Sequence, residues 1–480
     1  MPLHVFDTLR REAVEFVPRD PGRVGLYCCG MTVYNYAHIG NMRTFVWFGF
    51  ISSYLEYRGF DVTYVMNYTD IDDKIIERAN IEKVPPDAIT AKYIAAFEED
   101  LRNLGARAPD IVPRATGHID GMIKAIEGLI EKGFAYEAEG NVWFSVEKFS
   151  DYGKLSKRSL EDLKTQERIE PHSSKQHPVD FSLWKAAKEG EPAWESPWGP
   201  GRPGWHIECS VMSEKYLGMG FDLHGGGSDL IFPHHENEIA QAEALTGEEP
   251  FARYWLHAGM VQMDTEKMSK SLGNVVTARE ILKQYPGEVV RYWMLQGSYR
   301  SQVVFTENAM ADAAQSYDRW RIFLDASRHA LGDAMPEPTP VKRTDDSDNE
   351  PPTGYVRRFI DAMDADFNSA EAFATVHELV KEGNKLLESF QRGEAEAGDL
   401  VELIHSFYEI TAVLGFGFES THDSELMGGL IGYLLELRET ARAEKAFARA
   451  DEIRDRLESL GVTIEDTPSG ARWRFGAAAN

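Results

Sequence analysis

The stretch Val24–Asn41, VGLYCCGMTVYNYAHIGN, predicts the fold of the chain around it. It begins with an apolar run, Val24–Cys28, that is typical of a buried strand, and it turns through Gly30. A helix pattern follows over residues 42–58, and Gly59 stands where a helix end favours a left-handed residue. A strand, a glycine turn and a helix N-terminus together can hold phosphate, although most such junctions serve packing alone.

Length and composition limit the class of protein. At 480 residues the chain is too long for one compact core, so we expect several domains. A hydrophobic content of 43% excludes general disorder. The sequence has no apolar run long enough to span a membrane and no signal-peptide core, so we expect a soluble, cytoplasmic protein. The three cysteines are too few for a disulfide framework and are available as metal ligands.

The charge balance is strongly acidic. The chain has 78 acidic and 51 basic residues, a formal net charge of −27. Nucleic-acid-binding proteins usually present a basic surface, so this balance argues against such a partner. The acidic residues are spread along the whole chain, a pattern that suits concentrated salt because salt screens their repulsion. We therefore expect a salt-adapted, halophilic protein.

Two later segments continue the strand-and-helix pattern. Residues 60–76 predict a strand that runs into a helix, and Thr69 and Asp70 follow the strand end, where parallel sheets bind ligands. The next acids, Asp72 and Asp73, are better explained as helix caps. Residues 220–244 predict a short strand, a glycine loop and then a helix.

Cysteine, histidine and glutamate side chains suggest a metal site. His234 and Glu238 are four residues apart on a predicted helix, so they leave the same face. Cys209 is expected in the first turn of a helix over Ile207–Leu217, where the helix dipole favours the thiolate. A cysteine from the first strand would complete a zinc shell. Spacing alone leaves open the choice between these residues and their neighbours Cys28, His235 and Glu236.

Two motifs resemble the signatures of class I aminoacyl-tRNA synthetases. The segment CGMTVYNYAHIGN is similar to their His-Ile-Gly-His element, with Asn41 in place of the second histidine. Lys267–Ser271, KMSKS, matches their second signature without a mismatch. Cys29-Gly30 and the later Gly204–Cys209, GWHIEC, resemble the cysteinyl-tRNA synthetases in particular. On these motifs the chain is identified as a member of that family.

The resemblance implies a reaction and a set of site residues. The family joins cysteine to ATP as cysteinyl-adenylate and passes the cysteine to tRNA(Cys), with Mg²⁺ accompanying the ATP. It implies one Zn²⁺ per chain, held by Cys29, Cys209, His234 and Glu238. Substrate-binding positions are Cys29, Gly30, Thr69 and Trp205. The resemblance also implies His38, Asn41 and Lys270 as catalytic residues and His38, Gly40, Asn41, Lys267 and Lys270 as ATP-binding residues.

The implied zinc has a chemical purpose. A pocket that distinguishes substrates by shape alone would prefer cysteine to serine by only about 10–200-fold. A soft metal prefers sulfur to a neutral hydroxyl, so it would select cysteine by chemistry. Asn41 can donate a hydrogen bond but cannot become cationic, which could slow activation without abolishing it.

The expected fold class is α/β. We expect a Rossmann-like parallel-sheet catalytic domain over residues 1–245 with an insertion at about 115–200, and then a KMSKS loop and connecting domain over 246–310. A helical bundle for tRNA binding would occupy 311–420, and a small C-terminal α/β anticodon-recognition domain 421–480. We expect a monomer.

Three rival functions are weaker. A cysteine ligase that passes the adenylate to an amino sugar would not need the roughly 170 residues that follow the catalytic portion. A zinc hydrolase would leave the KMSKS segment without a role and lacks the usual His-x-x-x-His pair. A non-catalytic RNA-binding protein would not need Lys270 or all four metal ligands.

Lys270→Ala should lower the rate of cysteine activation by about 10²–10³-fold, because the lysine would neutralise charge on the departing pyrophosphate. The dissociation constant for free cysteine should hardly change. ATP–pyrophosphate exchange and equilibrium cysteine binding measure the two effects. A loss of cysteine binding at an unchanged chemical rate would contradict this role.

Overall fold

The computed structural model describes residues 2–159, 173–263, 266–267, 276–339, 341–343, 354–418, 422–467 and 470–475. The chain divides into two compact units, Met1–Gly417 and Phe418–Asn480. None of the helices within the described ranges is both long and apolar enough to cross a membrane.

Short strands in the first unit build several sheets. They are β1 His4–Asp7, β2 Glu12–Glu15, β3 Arg23–Cys28, β4 Asp61–Met66, β5 Ala135–Ala138, β6 Asn141–Phe144, β7 Phe181–Ala186, β8 Gly201–Pro203, β9 Phe221–Gly227, β10 Ala252–Ala258, β11 Val261–Met263, β12 Glu266–Lys267 and β13 Val303–Phe305.

Helices surround these sheets and then dominate the chain. They are α1 Ile39–Tyr57, α2 Asp73–Glu82, α3 Pro86–Asn103, α4 Ile119–Glu131, α5 Trp205–Leu217, α6 Glu236–Thr246, α7 Ala278–Leu282, α8 Gly287–Leu295, α9 Glu307–Leu331, α10 Gly354–Asp364, α11 Ser369–Gln391 and α12 Ala397–Val413.

The central sheet is parallel, with strand order β10-β9-β3-β4. The carboxyl ends of β3 and β9 are therefore neighbours, and open parallel sheets bind their ligands at that edge. The predicted α/β class with a parallel sheet is confirmed. The fourth strand, β10, follows residue 245, where we had expected a domain boundary.

Helix α1 is the helix that the opening stretch of sequence predicted. It begins at Ile39, three residues earlier than the pattern predicted, because His38 caps it: the Nδ1 atom accepts the Asn41 backbone N–H at 3.1 Å. It ends at Tyr57, and Gly59 has a φ of +87°, as the sequence predicted.

The glycine run in residues 220–244 lies in a strand, so the predicted glycine loop was wrong. Gly225 belongs to β9, and a Cβ atom on it would lie 2.0 Å from the ring of Phe48 on α1. The missing side chains let α1 pack directly against the sheet. Close packing, and not a turn, is therefore the reason for glycine here.

Between β4 and β9 the chain forms a separate antiparallel sheet in the order β5-β6-β7-β8. The later helices follow the predicted spacing, since Phe373, Val376, Val380 and Leu387 on α11 are all buried.

The second unit is small. It consists of α13 His422–Ala443, α14 Phe447–Ser459 and an antiparallel pair, β14 Val462–Thr467 and β15 Gly470–Phe475. Its core includes Ile431, Leu435, Leu457, Val462 and Ile464.

Arg291 on α8 ties three helices of the first unit together. Its buried guanidinium donates to the carbonyl oxygens of Leu414 at 2.7 Å, Gly105 at 3.0 Å and Leu104 at 3.4 Å. Gly415 makes room for it, because a Cβ there would lie 2.1 Å from the Arg291 Nη2 atom. Burial lowers the pKa of Arg291 to about 10, so the side chain stays charged at neutral pH.

Arg291→Met should destabilise the first unit by about 3 kcal/mol, because the carbonyl oxygens lose their donor inside the protein. For a unit of this size the thermal midpoint should fall by about 3 °C. Arg392→Met is the matched control, since the Arg392 side chain is 59% exposed and, among the residues that the structure describes, forms an ion pair with Glu394 alone. Equal midpoints for the two variants would contradict the structural role of Arg291.

Candidate active site and metal centre

The predicted metal ligands meet at one buried carboxylate. Glu238 Oε1 accepts from the Cys29 thiol at 3.2 Å and lies 3.0 Å from His234 Nε2. Its other oxygen, Oε2, lies 2.8 Å from His224 Nε2. The ligand atoms of Cys29, Cys209, His234 and Glu238 all lie within 4.8 Å of one another. The structure therefore brings together the four residues named from the sequence.

Cys209 lies in the second turn of α5, and not in the first turn as expected. The helix begins at Trp205, directly after Gly204, so the helix dipole acts more weakly on the thiol. Burial would raise the pKa of Cys209, but the neighbouring Cys29 thiol and the cationic His234 bring it to about 7. The cluster, rather than the helix end, favours this thiolate.

The electrostatics of the cluster suit a cation. Burial opposes charge on His234, yet the Glu238 carboxylate and the Cys209 thiolate raise its pKa to about 10. Burial also opposes charge on Glu238, yet the His224 and His234 rings hold the pKa of Glu238 well below its usual range. A buried pocket that favours one thiolate and one carboxylate needs positive charge between them.

The donor set passes a chemical test for a metal. Two sulfurs, one imidazole and one carboxylate fit zinc better than a hard cation such as Mg²⁺. His234 Nδ1 lies 2.8 Å from His206 Nδ1, so an Nδ1–H on His234 would leave Nε2 free to bind. Burial holds the pKa of His206 well below its usual range, so His206 is neutral and can accept this bond.

A second set of donors overlaps the first. One ligand atom from each of Cys29, His224, His235 and Glu238 also lies within 4.8 Å of the other three. His235 Nδ1 bonds His257 Nε2 at 2.8 Å, while its buried Nε2 atom lacks a hydrogen-bond partner within the described part of the chain. Geometry alone thus leaves two choices that share Cys29 and Glu238.

A cavity of about 670 Å³ connects the cluster to the start of α1. Several residues predicted from the sequence line it: Cys29, Gly30, His38, Gly40, Asn41, Trp205 and His234. Gly30 is required by close packing, because a Cβ there would lie 1.6 Å from the Asn67 carbonyl oxygen. Trp205 stacks on His234 with 4.1 Å between ring centres, and it is 37% exposed.

The chain after the KMSKS segment returns to the cavity beside α1. Ile39 donates to the Val276 carbonyl at 3.1 Å, and Ala278 donates to that of Ala37 at 2.9 Å. The backbone of Lys267 pairs with Gln262 in a two-stranded ladder. Its side chain, and all of Lys270, lie outside what the structure describes. Both lysines remain predictions from the sequence.

Thr69 lies behind the cavity wall rather than on it. It is 1% exposed, and its hydroxyl donates at 2.7 Å to Oε2 of Glu208, the residue before the candidate ligand Cys209. Asp70 accepts hydrogen bonds from the backbone and hydroxyl of Thr116, so it serves the fold. Asp72 caps α2, as the sequence predicted.

One residue that lines the cavity, Asp229, and one buried residue beside it, Arg43, were missed from the sequence. Asp229 lines the cavity, and a Cβ on Gly227 would lie 2.5 Å from its Oδ1 atom, so the glycine run admits this carboxylate. Arg43 is buried and donates to the Gly259 and Ser298 carbonyl oxygens at 2.8 and 2.9 Å. The Ser-Asp pair after the glycines was an available signal for Asp229, while Arg43 had none.

Three family profiles match successive parts of the sequence. Residues 15–315 match the "tRNA synthetases class I (C) catalytic domain", residues 358–419 the "DALR domain" and residues 432–474 the "Cysteinyl-tRNA ligase anticodon binding domain".

Similar proteins agree over the whole length. The cysteine–tRNA ligase of Carboxydothermus hydrogenoformans is 48% identical over 98% of this chain and 100% of its own. That of Heliobacterium modesticaldum is 47% identical over 99% and 100%. The solved structure of Mycobacterium tuberculosis methionyl-tRNA synthetase with methionyl-adenylate has a TM-score of 0.59 at 15% identity, over 82% of this chain and 89% of that chain, which supports the fold.

The parallel sheet, the capped helix and the catalytic-domain match define a class I aminoacyl-tRNA synthetase. Within that class, the chain belongs to the cysteinyl-tRNA synthetase family.

Proposed function

We propose that the buried cluster and the start of α1 are the two ends of one cysteine-activating site. The chain is a cysteine–tRNA ligase: it activates cysteine with ATP and transfers it to tRNA. The observation that carries the site assignment is the shared cavity, since Cys29 and His234 line one end and His38 and Asn41 line the other. The amino-sugar ligase is not supported, because the chain includes an anticodon-binding domain.

The cluster is proposed to hold one Zn²⁺ through Cys29, Cys209, His234 and Glu238. When bound, the metal would supply a soft ligand position for the thiolate of substrate cysteine. His206 orients His234 by their 2.8 Å contact, and Trp205 covers the His234 ring. Gly30 would line the substrate position beside Cys29, where its lack of a side chain lets the segment pack on the Asn67 carbonyl oxygen. Thr69 would act indirectly, by fixing Glu208 next to Cys209.

The other end is proposed to hold ATP with its Mg²⁺. Gly40 and Asn41 at the start of α1 line the cavity, and the helix dipole favours phosphate there. His38 accepts the Asn41 N–H through Nδ1, which leaves Nε2 as the donor atom. Lys267 and Lys270 are proposed from the sequence to neutralise the departing pyrophosphate.

The oligomeric state and the cellular compartment are proposed from the sequence alone. We propose that the enzyme acts as a monomer and in the cytoplasm. A further proposal, drawn from the net charge of −27, is that it is salt-adapted.

Cys209→Ser should reduce bound zinc from about one per chain and lower cysteine activation by at least about 100-fold, because even residues behind metal ligands affect activity by 10–100-fold. Cys28→Ser is the matched control. Cys28 is also a buried thiol of this region but belongs to neither ligand set. Metal analysis and ATP–pyrophosphate exchange provide the readouts. Full activity of a metal-free protein would end the zinc proposal.

Asn41→His should leave cysteine activation at or modestly above the parent rate, because the residue keeps its backbone bond to His38 and gains a group that can become cationic. The rate of ATP–pyrophosphate exchange across pH measures the effect. A loss of more than about 10-fold would mean that the cavity is fitted to asparagine at this position.

A further inference from the structure

The chain at Thr277 forms part of the cavity wall next to the start of α1. Thr277 and His38 pair in an antiparallel bridge, and both residues line the cavity. Helix α7 begins directly after this bridge. Thr277 caps α7, because its hydroxyl accepts the Glu280 N–H while the Glu280 carboxylate accepts the Thr277 N–H. The position of α7 therefore determines where the bridge lies beside His38.

Arg279 on α7 joins this helix to α3. Its guanidinium donates to the Ala96 carbonyl oxygen at 3.2 Å and also contacts the Glu99 carboxylate. Its Nε atom lies 3.1 Å from Oδ1 of Asp100. The Asp100 side chain is only 2% exposed, whereas that of Glu99 is 54% exposed. An exposed ion pair contributes little, but the loss of one partner from a buried pair is costly, so the contact with Asp100 matters most.

Arg279 also packs over a residue of the cavity wall. Its guanidinium carbon lies 5.4 Å from the centre of the Tyr36 ring, an arrangement that attracts the cation to the ring face. Tyr36 lines the cavity two residues before His38, and its ring meets the ring of Tyr93 on α3 edge to face at 5.1 Å. Arg279 therefore acts on the segment before α1 in two ways, through the Tyr36 ring and through the backbone bridge at Thr277.

Helix α3 is a fixed support for Arg279 because it also packs on α1. Phe97 on α3 meets Phe45 on α1 edge to face, with 5.0 Å between ring centres, and Phe45 lines the cavity. Asp100 lies three residues after Phe97, which is about one turn of the helix. The three helices thus form a closed set of contacts: α1 packs on α3, α3 binds α7, and the chain before α7 pairs with the chain before α1.

Asp100 makes the contact between α3 and α7 sensitive to pH. Burial raises the pKa of Asp100 to about 6; the Arg279 guanidinium lowers it in part, and the Glu99 carboxylate raises it. The Oδ2 atom of Asp100 is buried and has no hydrogen-bond partner among the residues that the structure describes. At neutral pH the carboxylate is ionised and attracts Arg279. As the pH falls through about 6, it takes up a proton and this attraction is lost.

Other titratable groups also pack along α3 or next to its end. They are Arg78 and Glu82 from α2, Tyr68 after β4 and Arg291 from α8, whose partners are Tyr93, Lys92, Glu98 and the Leu104 and Gly105 carbonyl oxygens. Their partners do not include Asp100. The charge on Asp100 is therefore governed by its neighbours Arg279 and Glu99.

We propose that Arg279 and Asp100 are positioning residues for ATP: their pair holds α7 on α3 and thereby sets His38 and Tyr36 at the α1 end of the cavity. Neither Arg279 nor Asp100 lines the cavity, so both act through residues that do. This inference rests on the proposed function, because it requires ATP to bind at the start of α1. The metal end depends on the Glu238 cluster instead, so cysteine binding should not depend on the pair.

Arg279→Met should lower kcat/KM for ATP in ATP–pyrophosphate exchange by about 10–100-fold, because a displacement of about 1 Å in a positioning group has an effect of this size. The dissociation constant of cysteine should stay within about twofold of the parent value. Arg357→Met is the matched control, since the Arg357 side chain is 44% exposed, pairs with Asp361 on its own helix and does not line the cavity. It should leave both quantities unchanged.

Asp100→Asn tests the same contact with a side chain of nearly equal size. The ratio of kcat/KM for ATP between parent and variant should be near 1 at pH 5, where the parent carboxyl is protonated. It should rise to about fivefold above pH 7, the scale of one partly exposed ion pair. The Asp100→Asn, Arg279→Met double variant should be within about twofold of Arg279→Met alone, since both changes remove the same contact.

Four results would overturn the proposal. They are an unchanged kcat/KM for ATP in Arg279→Met, a loss of cysteine binding as large as the loss in kcat/KM for ATP, a ratio between parent and Asp100→Asn that does not vary with pH, and fully additive losses in the double variant. The second of these would mean that the pair supports the first unit as a whole. Failure of the parent enzyme to catalyse exchange with cysteine would instead defeat the proposed function.

Discussion

The buried carboxylate of Glu238 is the constraint on which the site depends. A fully buried negative charge is costly unless donors surround it, and here they come from three parts of the chain. Cys29 follows β3, His224 belongs to β9, and His234 precedes α6. Because these donors converge on one group, the strand ends and the start of α6 must keep a common geometry. The same geometry gives the two thiols and the imidazole their metal-binding spacing.

The glycine residues of β9 extend this constraint to the end of the cavity at the start of α1. With no side chain at Gly225, the ring of Phe48 lies against the strand, and α1 lies close to the sheet. That closeness puts the capped N-terminus of α1 at the same sheet edge as the thiols. Arg43, one turn further along α1, then fixes the Gly259 and Ser298 carbonyl oxygens. Packing therefore positions helix α1 at its end of the cavity, whereas charge positions the end that holds the Cys29, Cys209, His234 and Glu238 cluster.

The sequence predicted features whose cause is local. The β3 strand, the Gly59 helix end and the Asp72 cap each depend on residues within a few positions, and each was placed well. The glycine run was misread because its partner, Phe48, lies far away in sequence. Cys209 was put in the first turn because the pattern did not show that α5 starts at Trp205.

The metal ligands show the same limit from another side. Residue spacing identified the region of the candidate metal site. The structure still contains two overlapping sets of donors in that region. The family resemblance favours Cys209 and His234 over His224 and His235. Arg43 gave no signal at all, since its partners are backbone carbonyl groups, which every residue has. Contacts that depend on the backbone of distant segments leave no pattern in side-chain types.

The antiparallel sheet β5-β6-β7-β8 affects the site through Trp205. Gly204 donates to the Leu183 carbonyl on β7 at 2.8 Å, and a Cβ on it would lie 2.0 Å from the Ser182 carbonyl oxygen. The start of α5 is thus held directly against β7, so the inserted sheet sets the position of Trp205. Trp205 in turn covers His234 and forms part of the cavity wall. A displacement of this sheet would therefore also displace Trp205 from His234, because the short contact between Gly204 and Leu183 joins the sheet to α5.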